Sequence, residues 1–363
     1  MRQVLFHIPL SWLHPGWDVP VYGYGLMLFC AFVFCGALAK RLCRREGIDG
    51  NLIPDLIIWL FVAGIVGGRI VFVIQYWHEA GFADRPLWQV VALWDGGLVL
   101  YGALIGGLVG YFSYAHFVLR KQGVSNWKML DVIAPSVALG VALGRIGCLF
   151  TGCCYGNVAC SACPALHFPL ASAPTMKMVR LGYQTPLGFQ WDPNTREVEA
   201  VEPGSAAANA GVRDKDVIVN AFSEMNGDFL PILRLADLAT TPGPLKLTVR
   251  RNGETITFDP FEPRSIGLHP TQIYETISMV LLLFFLLSYY PYKRHDGELM
   301  VLFMFGYGVH RFLNEMLRTD TDPVAFGLTL SQNVSLLMFA CATVLAYAVW
   351  RRPVIVQGTI SHP

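Results

Sequence analysis

The sequence predicts an all-α polytopic membrane protein of about seven transmembrane helices, with a small α/β domain inserted between the fourth and the fifth. Three observations support this fold class. Of the 363 residues, 54% are hydrophobic and only 15% are charged, whereas a soluble globular chain carries about a quarter charged residues. Seven segments approach the roughly 20 apolar residues that cross a bilayer. From about 183 to 260 the composition changes to that of a soluble module.

The predicted spans lie at about 21–39, 54–75, 97–118, 130–150, 271–290, 297–314 and 331–350. The third contains glycines that let helices approach closely, namely Gly97, Gly102, Gly106, Gly107 and Gly110. The sixth is short and contains His310 and Arg311, which makes it the least typical span. The spans divide the chain into a first membrane part at 1–165, an outer insert at 166–265 and a second membrane part at 266–363.

Lysine and arginine in the short loops predict the orientation of the chain. Eleven of them follow spans one, three, five and seven: Lys40, Arg41, Arg44, Arg45, Arg120, Lys121, Lys128, Lys293, Arg294, Arg351 and Arg352. The opposite short loops, 76–96 and 315–330, carry only Arg85 and Arg318. We therefore expect the N-terminus and the insert to face outward and the C-terminus to face the cytoplasm. Met1–Trp12 lacks the features of a cleaved signal peptide, so the first span is expected to remain.

The insert resembles a PDZ domain. Residues 198–219 have the pattern of a strand, a Pro-Gly-Ser turn, a short alanine-rich helix and a turn into the next strand, and 245–258 predict a hairpin around an Asn-Gly turn. The loop of Pro186, Leu187, Gly188 and Phe189 resembles the carboxylate-binding loop of that family. PDZ domains bind extended peptides along a sheet edge, so the resemblance implies a peptide ligand. A structural spacer without ligand is the alternative.

Ionisable residues inside the spans are candidates for a functional site, because a charge in hydrocarbon is costly. Four arginines lie near the outer ends of spans: Arg69, Arg145, Arg311 and Arg318. Tyr307, Arg311 and Glu315 are four residues apart and share one helix face. Any one arginine could instead form a helix-end ion pair or extend to lipid headgroups. Because guanidinium groups bind phosphate in a bidentate manner, the four together predict a cavity for an anionic phospholipid headgroup.

Five motifs of the membrane part resemble the prolipoprotein diacylglyceryl transferases of bacterial inner membranes. They are Tyr24-Gly-Leu-Met27, Gly67-Gly-Arg69, Gly144-Arg-Ile-Gly147, His269-Pro-Thr-Gln-Ile-Tyr-Glu275, and Tyr307-Gly-Val-His-Arg311 with Glu315 and Arg318. The resemblance implies an enzyme that moves the diacylglyceryl group of phosphatidylglycerol to the lipobox cysteine thiol of a prolipoprotein and releases glycerol phosphate. It implies a multi-pass protein of the inner membrane whose insert lies in the periplasm. No cofactor and no metal is expected.

The resemblance also implies roles for individual residues. The expected catalytic residues are Arg145, Arg311, Tyr101 and Tyr307. The expected substrate-binding residues are Tyr24, Arg69, His269, Gln272, Tyr274, Glu275, Glu315 and Arg318. The arginines would stabilise charge on the glycerol phosphate that leaves the phosphodiester donor, and the acceptor thiol must lose its proton to become an effective nucleophile.

The chain departs from the family pattern at three positions. Tyr101 stands where the family has a histidine proposed as general base, and Cys148 and Cys153 stand where the signature loop has asparagine and glutamate. A phenol, with an ordinary pKa of about 10, is a poor base at neutral pH. Either catalysis depends on electrostatics and on ionisation of the incoming thiol, or the protein has another acceptor or little activity. We favour the first interpretation, because the arginines of the motifs are all present.

Five of the nine cysteines lie within 16 residues at the outward end of span four: Cys148, Cys153, Cys154, Cys160 and Cys163. Because the outer compartment is oxidising, we expect disulfides that staple this loop, at most two bridges with one thiol left over. A zinc site of thiolates and a redox or covalent role for Cys148 or Cys153 are the alternatives.

Two function classes follow from these observations. A transferase acting on a phospholipid and a protein thiol is the leading hypothesis. A lipid-binding sensor or scaffold protein whose PDZ module recruits outer partners is the alternative. A net charge of +1 gives no basic excess for nucleic acid, and a transporter is disfavoured because no inverted repeat is evident. Since the insert separates the Arg145 motif from the His269 motif, we expect it to guide or gate the acceptor.

Overall fold

The computed structural model describes residues 4–9, 18–79, 82, 87–93, 96–160, 162–170, 172–185, 187–192, 194–225, 228–232, 243–318 and 323–354. Arg85 and Pro186, which the sequence singled out, lie outside them. The chain forms two compact units. One comprises Met1–Leu26, Arg145–Glu275 and Leu313–Leu330, and the other Met27–Gly144, Thr276–Phe312 and Ser331–Pro363.

The described residues form nine α-helices: α1 Gly23–Arg45, α2 Leu52–Gln75, α3 Leu100–Tyr114, α4 Asn126–Thr151, α5 Ala173–Arg180, α6 Ala206–Ala210, α7 Thr271–Tyr289, α8 Glu298–Glu315 and α9 Leu330–Trp350. A π-helical turn, Ala115–Leu119, extends α3. Within the described residues, six helices are long and apolar enough to cross a membrane: α1, α2, α3 with its π turn, α4, α7 and α9. The chain is therefore a helical membrane protein.

Helix α8 coincides with the sixth predicted span but is not among these six candidates. It has 18 residues and carries Glu298, Arg311 and Glu315, so its composition alone does not mark it as a span. Whether α8 crosses the bilayer stays a prediction.

Many large apolar side chains point away from the protein on the candidate spans. Ile74 on α2 is 73% exposed and Val344 on α9 is 70% exposed. In water such faces would be unfavourable, whereas lipid tails solvate them. The buried residues of these helices face the neighbouring helices instead, as in the cluster of Leu42, Leu56 and Val132.

Glycines bring α2 and α3 into close contact, as the sequence predicted. A methyl group at Gly102 would lie 2.5 Å from the Gly67 carbonyl oxygen, and one at Gly106 would collide with the Ala63 carbonyl. The prediction was wrong for Gly107, because no atom of the described residues lies within 4 Å of a methyl group added there. Gly97 lies just before α3 with φ +79°, and a side chain there would collide with Phe72 of α2.

A buried charge network joins α4 to the segment that precedes α8. Asp131 has no exposed surface, and its carboxylate accepts hydrogen bonds from the Gly297 and Leu299 amides, both at 2.9 Å. Lys293 donates to Asp131 at 3.2 Å and pairs with Glu46 at 2.7 Å. Lys293 was predicted only as a loop charge, but it is a buried structural residue here.

The strands form small antiparallel sheets. A hairpin of β1 Val4–Pro9 and β2 Asp18–Tyr22 precedes α1, and β3 Leu166–His167 pairs with β10 Gly267–Leu268. Between them, β4 Phe189–Trp191 pairs with β5 Val198–Val201, and four strands lie in the order β7 Asp228–Pro231, β6 Val217–Met225, β8 Leu245–Arg251, β9 Glu254–Thr257. A short hairpin of β11 Pro323–Ala325 and β12 Leu328–Thr329 leads into α9.

The insert has its own hydrophobic core, to which Leu187, Phe189 and Leu247 contribute fully buried side chains. The predicted hairpin at 245–258 is confirmed, since Arg251 pairs with Glu254 across a turn in which Asn252 and Gly253 have φ of +52° and +90°. That geometry is the reason for the Asn-Gly sequence.

The predicted helix of the insert is also present. Ser205 caps α6 by accepting from the Ala208 amide at 3.0 Å, and Gly211 ends it with φ +99°. The Gly188 carbonyl accepts from Ser205 Oγ at 3.1 Å. Residues 226–227 and 233–242 lie outside the described part of this segment.

Candidate active site

Arg145 lies near the C-terminal end of α4 and forms an ion pair with Glu275 on α7. Its Nε is 3.0 Å from Glu275 Oε1, and the Glu275 side chain has no exposed surface. Asn314 on α8 also donates to Glu275, at 3.1 Å. A buried carboxylate needs such partners, because an uncompensated charge away from water is strongly destabilising. Glu275, predicted as a substrate ligand, thus holds Arg145 in place.

A second buried ion pair lies at the C-terminal end of α8. Arg318 Nη1 is 3.7 Å from Glu315 Oε2, and Thr329 Oγ1 donates to Glu315 at 3.2 Å. Glu315 is 1% exposed. The two charged residues predicted here, Glu315 and Arg318, therefore lie side by side and neutralise each other's charge.

The motif that begins at His269 packs against the loop that follows α4. Thr271 Oγ1 donates to the Cys154 carbonyl and Gln272 Nε2 to the Cys153 carbonyl, both at 2.6 Å. His269 Nδ1 is 3.2 Å from the Tyr274 hydroxyl. Gln272 and Tyr274 were predicted as substrate ligands. In the structure Gln272 fixes the backbone of the cysteine loop, and Tyr274 contacts His269.

The five clustered cysteines divide into a bonded pair and a group of three thiols. Cys160 and Cys163 form a disulfide. Cys148, Cys153 and Cys154 are free, and their sulfur atoms all lie within 4.8 Å of one another. Hydrogen bonds from Cys148 and Cys153, together with the positive charges of nearby groups, lower the pKa of the Cys154 thiol. We call Cys148, Cys153 and Cys154 the thiol cluster.

Guanidinium groups act electrostatically on the thiol cluster. Arg145 acts electrostatically on Cys148 and Cys154, and Arg318 acts on Cys154. Tyr24, in the first turn of α1, lies within electrostatic range of the cluster and of Arg145, and its side chain is 47% exposed. The same unit thus contains arginines, thiols and a tyrosine, as the motifs of the sequence led us to expect.

The other unit contains Tyr101, Tyr307 and Arg311. Arg311 Nη2 donates to Ser331 Oγ at 2.6 Å. Tyr307, one turn earlier on α8, stacks on Phe303 with ring centroids 5.8 Å apart. Tyr101 lies half-buried in the first turn of α3.

Arg69 is 7% exposed and donates to four backbone carbonyls. They belong to Gln89 at 2.8 Å, Val90 at 2.7 Å, Gly96 at 2.6 Å and Gly97 at 3.2 Å. Four of its five N–H groups are thereby engaged. These contacts hold the loop before α3. The predicted role of Arg69 as a headgroup ligand stays a prediction.

Asn314, Thr271 and Ser331 contribute to these arrangements but were not predicted. Each is a polar residue in or beside an otherwise apolar helix, and such residues are functional candidates in membranes. That signal was available for Asn314, which immediately precedes Glu315.

Residues 13–348 match the sequence profile described as prolipoprotein diacylglyceryl transferase. The chain belongs to this family. A relative from Rhodopirellula baltica, named phosphatidylglycerol--prolipoprotein diacylglyceryl transferase, is 32% identical over 92% of this chain and 73% of its own length. A relative of the same name from Clostridium tetani is 26% identical over 93% of each chain. One from Thermosynechococcus vestitus is 41% identical over 37% of this chain and 47% of its own.

Membership of the prolipoprotein diacylglyceryl transferase family extends across both units. The matched range includes every predicted site residue of the membrane part, from Tyr24 to Arg318. The family resemblance drawn from the motifs is therefore confirmed, whereas the role of each residue stays a prediction.

Proposed function

We propose that this protein transfers the diacylglyceryl group of phosphatidylglycerol to the lipobox cysteine thiol of prolipoproteins and releases glycerol phosphate. The observation that carries the proposal is the buried pair of Arg145 and Glu275 in a chain of this family. An arginine held in an apolar helix bundle stabilises negative charge more strongly than it would in water. The reaction needs such a group, because a phosphate monoester anion leaves.

The chemical step is a substitution at the glycerol carbon that carries the phosphate ester. The acceptor thiol loses its proton to water, and its sulfur forms a bond to this carbon. The carbon–oxygen bond breaks with its electron pair staying on the phosphate oxygen. We propose Arg145 and Arg311 as the arginines that bind the headgroup, with Tyr101 and Tyr307 as further catalytic residues. His269, Glu275, Glu315 and Arg318 are proposed to shape the site, and Tyr24 to contact substrate.

An apolar cavity of about 480 Å³ supports a lipid substrate. It lies among α1, α2 and α4, and its lining includes Leu28, Phe32, Ile57, Phe61, Val137 and Val141. Its walls offer almost no polar groups, so an acyl chain is the matching occupant. We propose that it accommodates a fatty acyl chain of the donor.

We further propose that all seven long membrane helices, α8 included, cross the inner membrane, with the N-terminus and the insert in the periplasm. The lysines and arginines of the loops support this orientation. The capped helix α6, the Asn-Gly hairpin and the loop at Gly188 support a PDZ-type insert. Its proposed role is to bind extended peptide and deliver acceptors.

Complementation tests the proposed function. Expression of this chain in a bacterial strain depleted of its own transferase should restore growth and lipoprotein maturation, and Arg145→Ala and Arg311→Ala should not. Arg264→Ala, at an exposed position of the insert, is the matched control and should complement fully. Membrane-inserted wild-type protein that fails to restore lipidation would contradict the proposal.

A further inference from the structure

We propose that the thiol cluster is a three-thiolate binding site for a thiophilic d10 metal ion, with Zn²⁺ as the expected ion, and that its fourth coordination position takes the acceptor thiol. The metal site stands on its own geometry. Only the identity of the fourth ligand rests on the proposed function.

The spacing of the sulfur atoms fits tetrahedral coordination. The three Sγ atoms of Cys148, Cys153 and Cys154 lie within 4.8 Å of one another. A Zn–S bond of about 2.3 Å in tetrahedral geometry places two sulfurs roughly 3.8 Å apart. Small rotations of the side chains therefore suffice to bring all three onto one ion. Zinc sites with three protein ligands keep an open position for water or substrate.

The backbone is shaped to bring these sulfurs together. After α4 ends, the Cys148 carbonyl accepts from the amides of Gly152 at 2.9 Å and Cys153 at 3.1 Å. Cys154 then adopts a left-handed conformation with φ +59°, which is unfavourable for a residue with a side chain. Such strain persists only where the surroundings enforce it, and it concentrates at functional sites.

A distant segment of the chain holds Cys154 in this left-handed conformation. Thr271 and Gln272 bind the carbonyls of Cys154 and Cys153 with their side chains. The Gly156 amide donates to the His269 carbonyl at 2.8 Å, and a side chain at Gly156 would collide with His269 and Thr271. The loop is thus fixed at both ends of the Cys153-Cys154 pair, as a preorganised ligand set requires.

The metal-loaded site would carry little net charge. Three thiolates and one Zn²⁺ give a net charge of −1. Arg145 shares its charge with Glu275 and Arg318 shares its charge with Glu315. The neighbouring Cys160 and Cys163 are bonded to each other, so they do not compete for the ion.

The proposed site supplies what the transfer reaction needs. The acceptor thiol replaces a water on the zinc and gives its proton to solvent, because a coordinated thiol is deprotonated outright. The zinc-bound sulfur then attacks the glycerol carbon of the donor, the new S–C bond forms, and glycerol phosphate leaves with the electron pair of the broken C–O bond. The thioether product binds zinc weakly, and water replaces it.

Cobalt substitution tests the site in the purified full-length protein. Titration of the reduced, metal-free protein with Co²⁺ should give sulfur-to-cobalt charge-transfer absorption and the visible bands of tetrahedral Co²⁺, and Zn²⁺ should displace them. Cys148→Ser, Cys153→Ser and Cys154→Ser should each weaken binding by roughly tenfold or more, the scale on which even outer-shell partners act. Cys341→Ser, at an exposed free cysteine of α9, is the matched control and should bind as wild type.

A lipobox peptide tests the fourth ligand. Its addition should shift the visible cobalt bands and strengthen the charge-transfer absorption, whereas the same peptide with serine in place of cysteine should not. Absence of thiolate-to-cobalt absorption would overturn the metal site. So would alkylation without reductant that finds two of the three sulfurs joined in a disulfide.

The two proposals fail separately. If the protein lipidates at full rate but shows no thiolate-to-cobalt absorption when titrated with Co²⁺, the metal-site proposal is wrong and the transferase proposal stands. If the protein binds cobalt, its spectrum responds to the peptide thiol and no lipid is transferred, the metal-site proposal stands and the transferase proposal is wrong.

Discussion

At Glu275 a carboxylate with no exposed surface is balanced by Arg145 at 3.0 Å and by the Asn314 amide at 3.1 Å. The charge of the glutamate, more than its shape, fixes the position of the guanidinium. Sequence reasoning found Arg145 and Glu275 through their motifs but assigned both to the substrate. It could not foresee their pairing, because 130 positions separate them along the chain.

Glu275→Gln should therefore lower the rate of lipid transfer by roughly 100-fold or more, the scale of losing one oriented charge-stabilising group, while the protein stays folded. The glutamine keeps the volume but leaves Arg145 without its counter-charge. Initial rates with phosphatidylglycerol and a lipobox peptide measure the effect. Glu262→Gln, at an exposed position, is the control. An unchanged rate for Glu275→Gln would contradict the positioning role.

A second prediction for a single residue concerns the contribution of Lys293 to stability. Lys293→Met should destabilise the protein by about 3–5 kcal/mol, because it leaves the buried Asp131 without its main cationic partner. Lys128→Met is the control, since Lys128 is 40% exposed and its Nζ is as far as 4.0 Å from Glu46 Oε2. Its effect should stay below about 1 kcal/mol. Thermal unfolding in detergent measures both, and equal effects would contradict the buried network.

The pH dependence of this stabilisation follows from the sign of the pKa shift. Burial lowers the pKa of Lys293, but the charges of Asp131 and Glu46 outweigh it and raise the pKa above 10.5. A raised lysine pKa gives stability that is complete below the unfolded value and is lost only as pH rises through the folded value. The Lys293→Met penalty should thus not shrink as pH rises from about 8 to about 9. A penalty that shrinks between these values would contradict the assignment.

At the scale of elements, hydropathy located the helices but not their ends. The first span was predicted to end near 39, and α1 continues to Arg45. A hydropathy pattern marks the part of a helix that is in hydrocarbon, whereas the helix itself can extend into the polar interface. The third span begins later than predicted, because Gly96 and Gly97 adopt positive φ before Leu100. Hydropathy does not contain that information.

The contact of α2 with α3 provides a matched pair of substitutions. Gly106→Ala should destabilise the protein by about 1–3 kcal/mol, the usual cost of overpacking, because the new methyl group meets the Ala63 carbonyl. Gly107→Ala should be neutral or slightly stabilising, since its methyl group meets no atom of the described residues within 4 Å. Thermal unfolding in detergent compares them. Equal effects would show that the helices are not in this contact.

Arg69 acts at the same scale, between α2 and the loop before α3. Arg69→Lys should lose activity and expose residues 87–97 to protease, because a lysine cannot reach four carbonyls in the planar geometry of a guanidinium. Limited proteolysis followed by mass spectrometry measures the exposure. If Arg69 is instead a headgroup ligand, Arg69→Lys will raise KM for the lipid while the cleavage pattern stays that of wild type.

At the scale of the whole molecule, the helical membrane fold and the family could both be predicted from composition and motifs. The thiol cluster could not. Its sequence indicated disulfides, and the structure bonds only Cys160 to Cys163. The distances among the other three depend on side chains of Thr271 and Gln272, more than a hundred residues away along the chain. A local pattern of cysteines cannot reveal such a constraint.

The insert provides a prediction at this scale. Its base is closed by the pairing of β3 with β10, in which Gly267 lies opposite His167, so a short linker in place of 183–260 should leave the membrane part folded. The shortened protein should lipidate short lipobox peptides near the wild-type rate and whole prolipoproteins more slowly. Equal rates on every acceptor would contradict a role of the insert in delivery.

The central claim is that this chain performs the lipid transfer with Arg145 in its site. Purified protein, phosphatidylglycerol and a lipobox peptide should yield a thioether-linked diacylglyceryl peptide with an equal amount of glycerol phosphate, both measured by mass spectrometry. Arg145→Ala should reduce both products by roughly 100-fold or more, and Arg264→Ala should not. Folded wild-type protein that forms neither product, or an Arg145→Ala protein that forms both at the wild-type rate, would contradict the account.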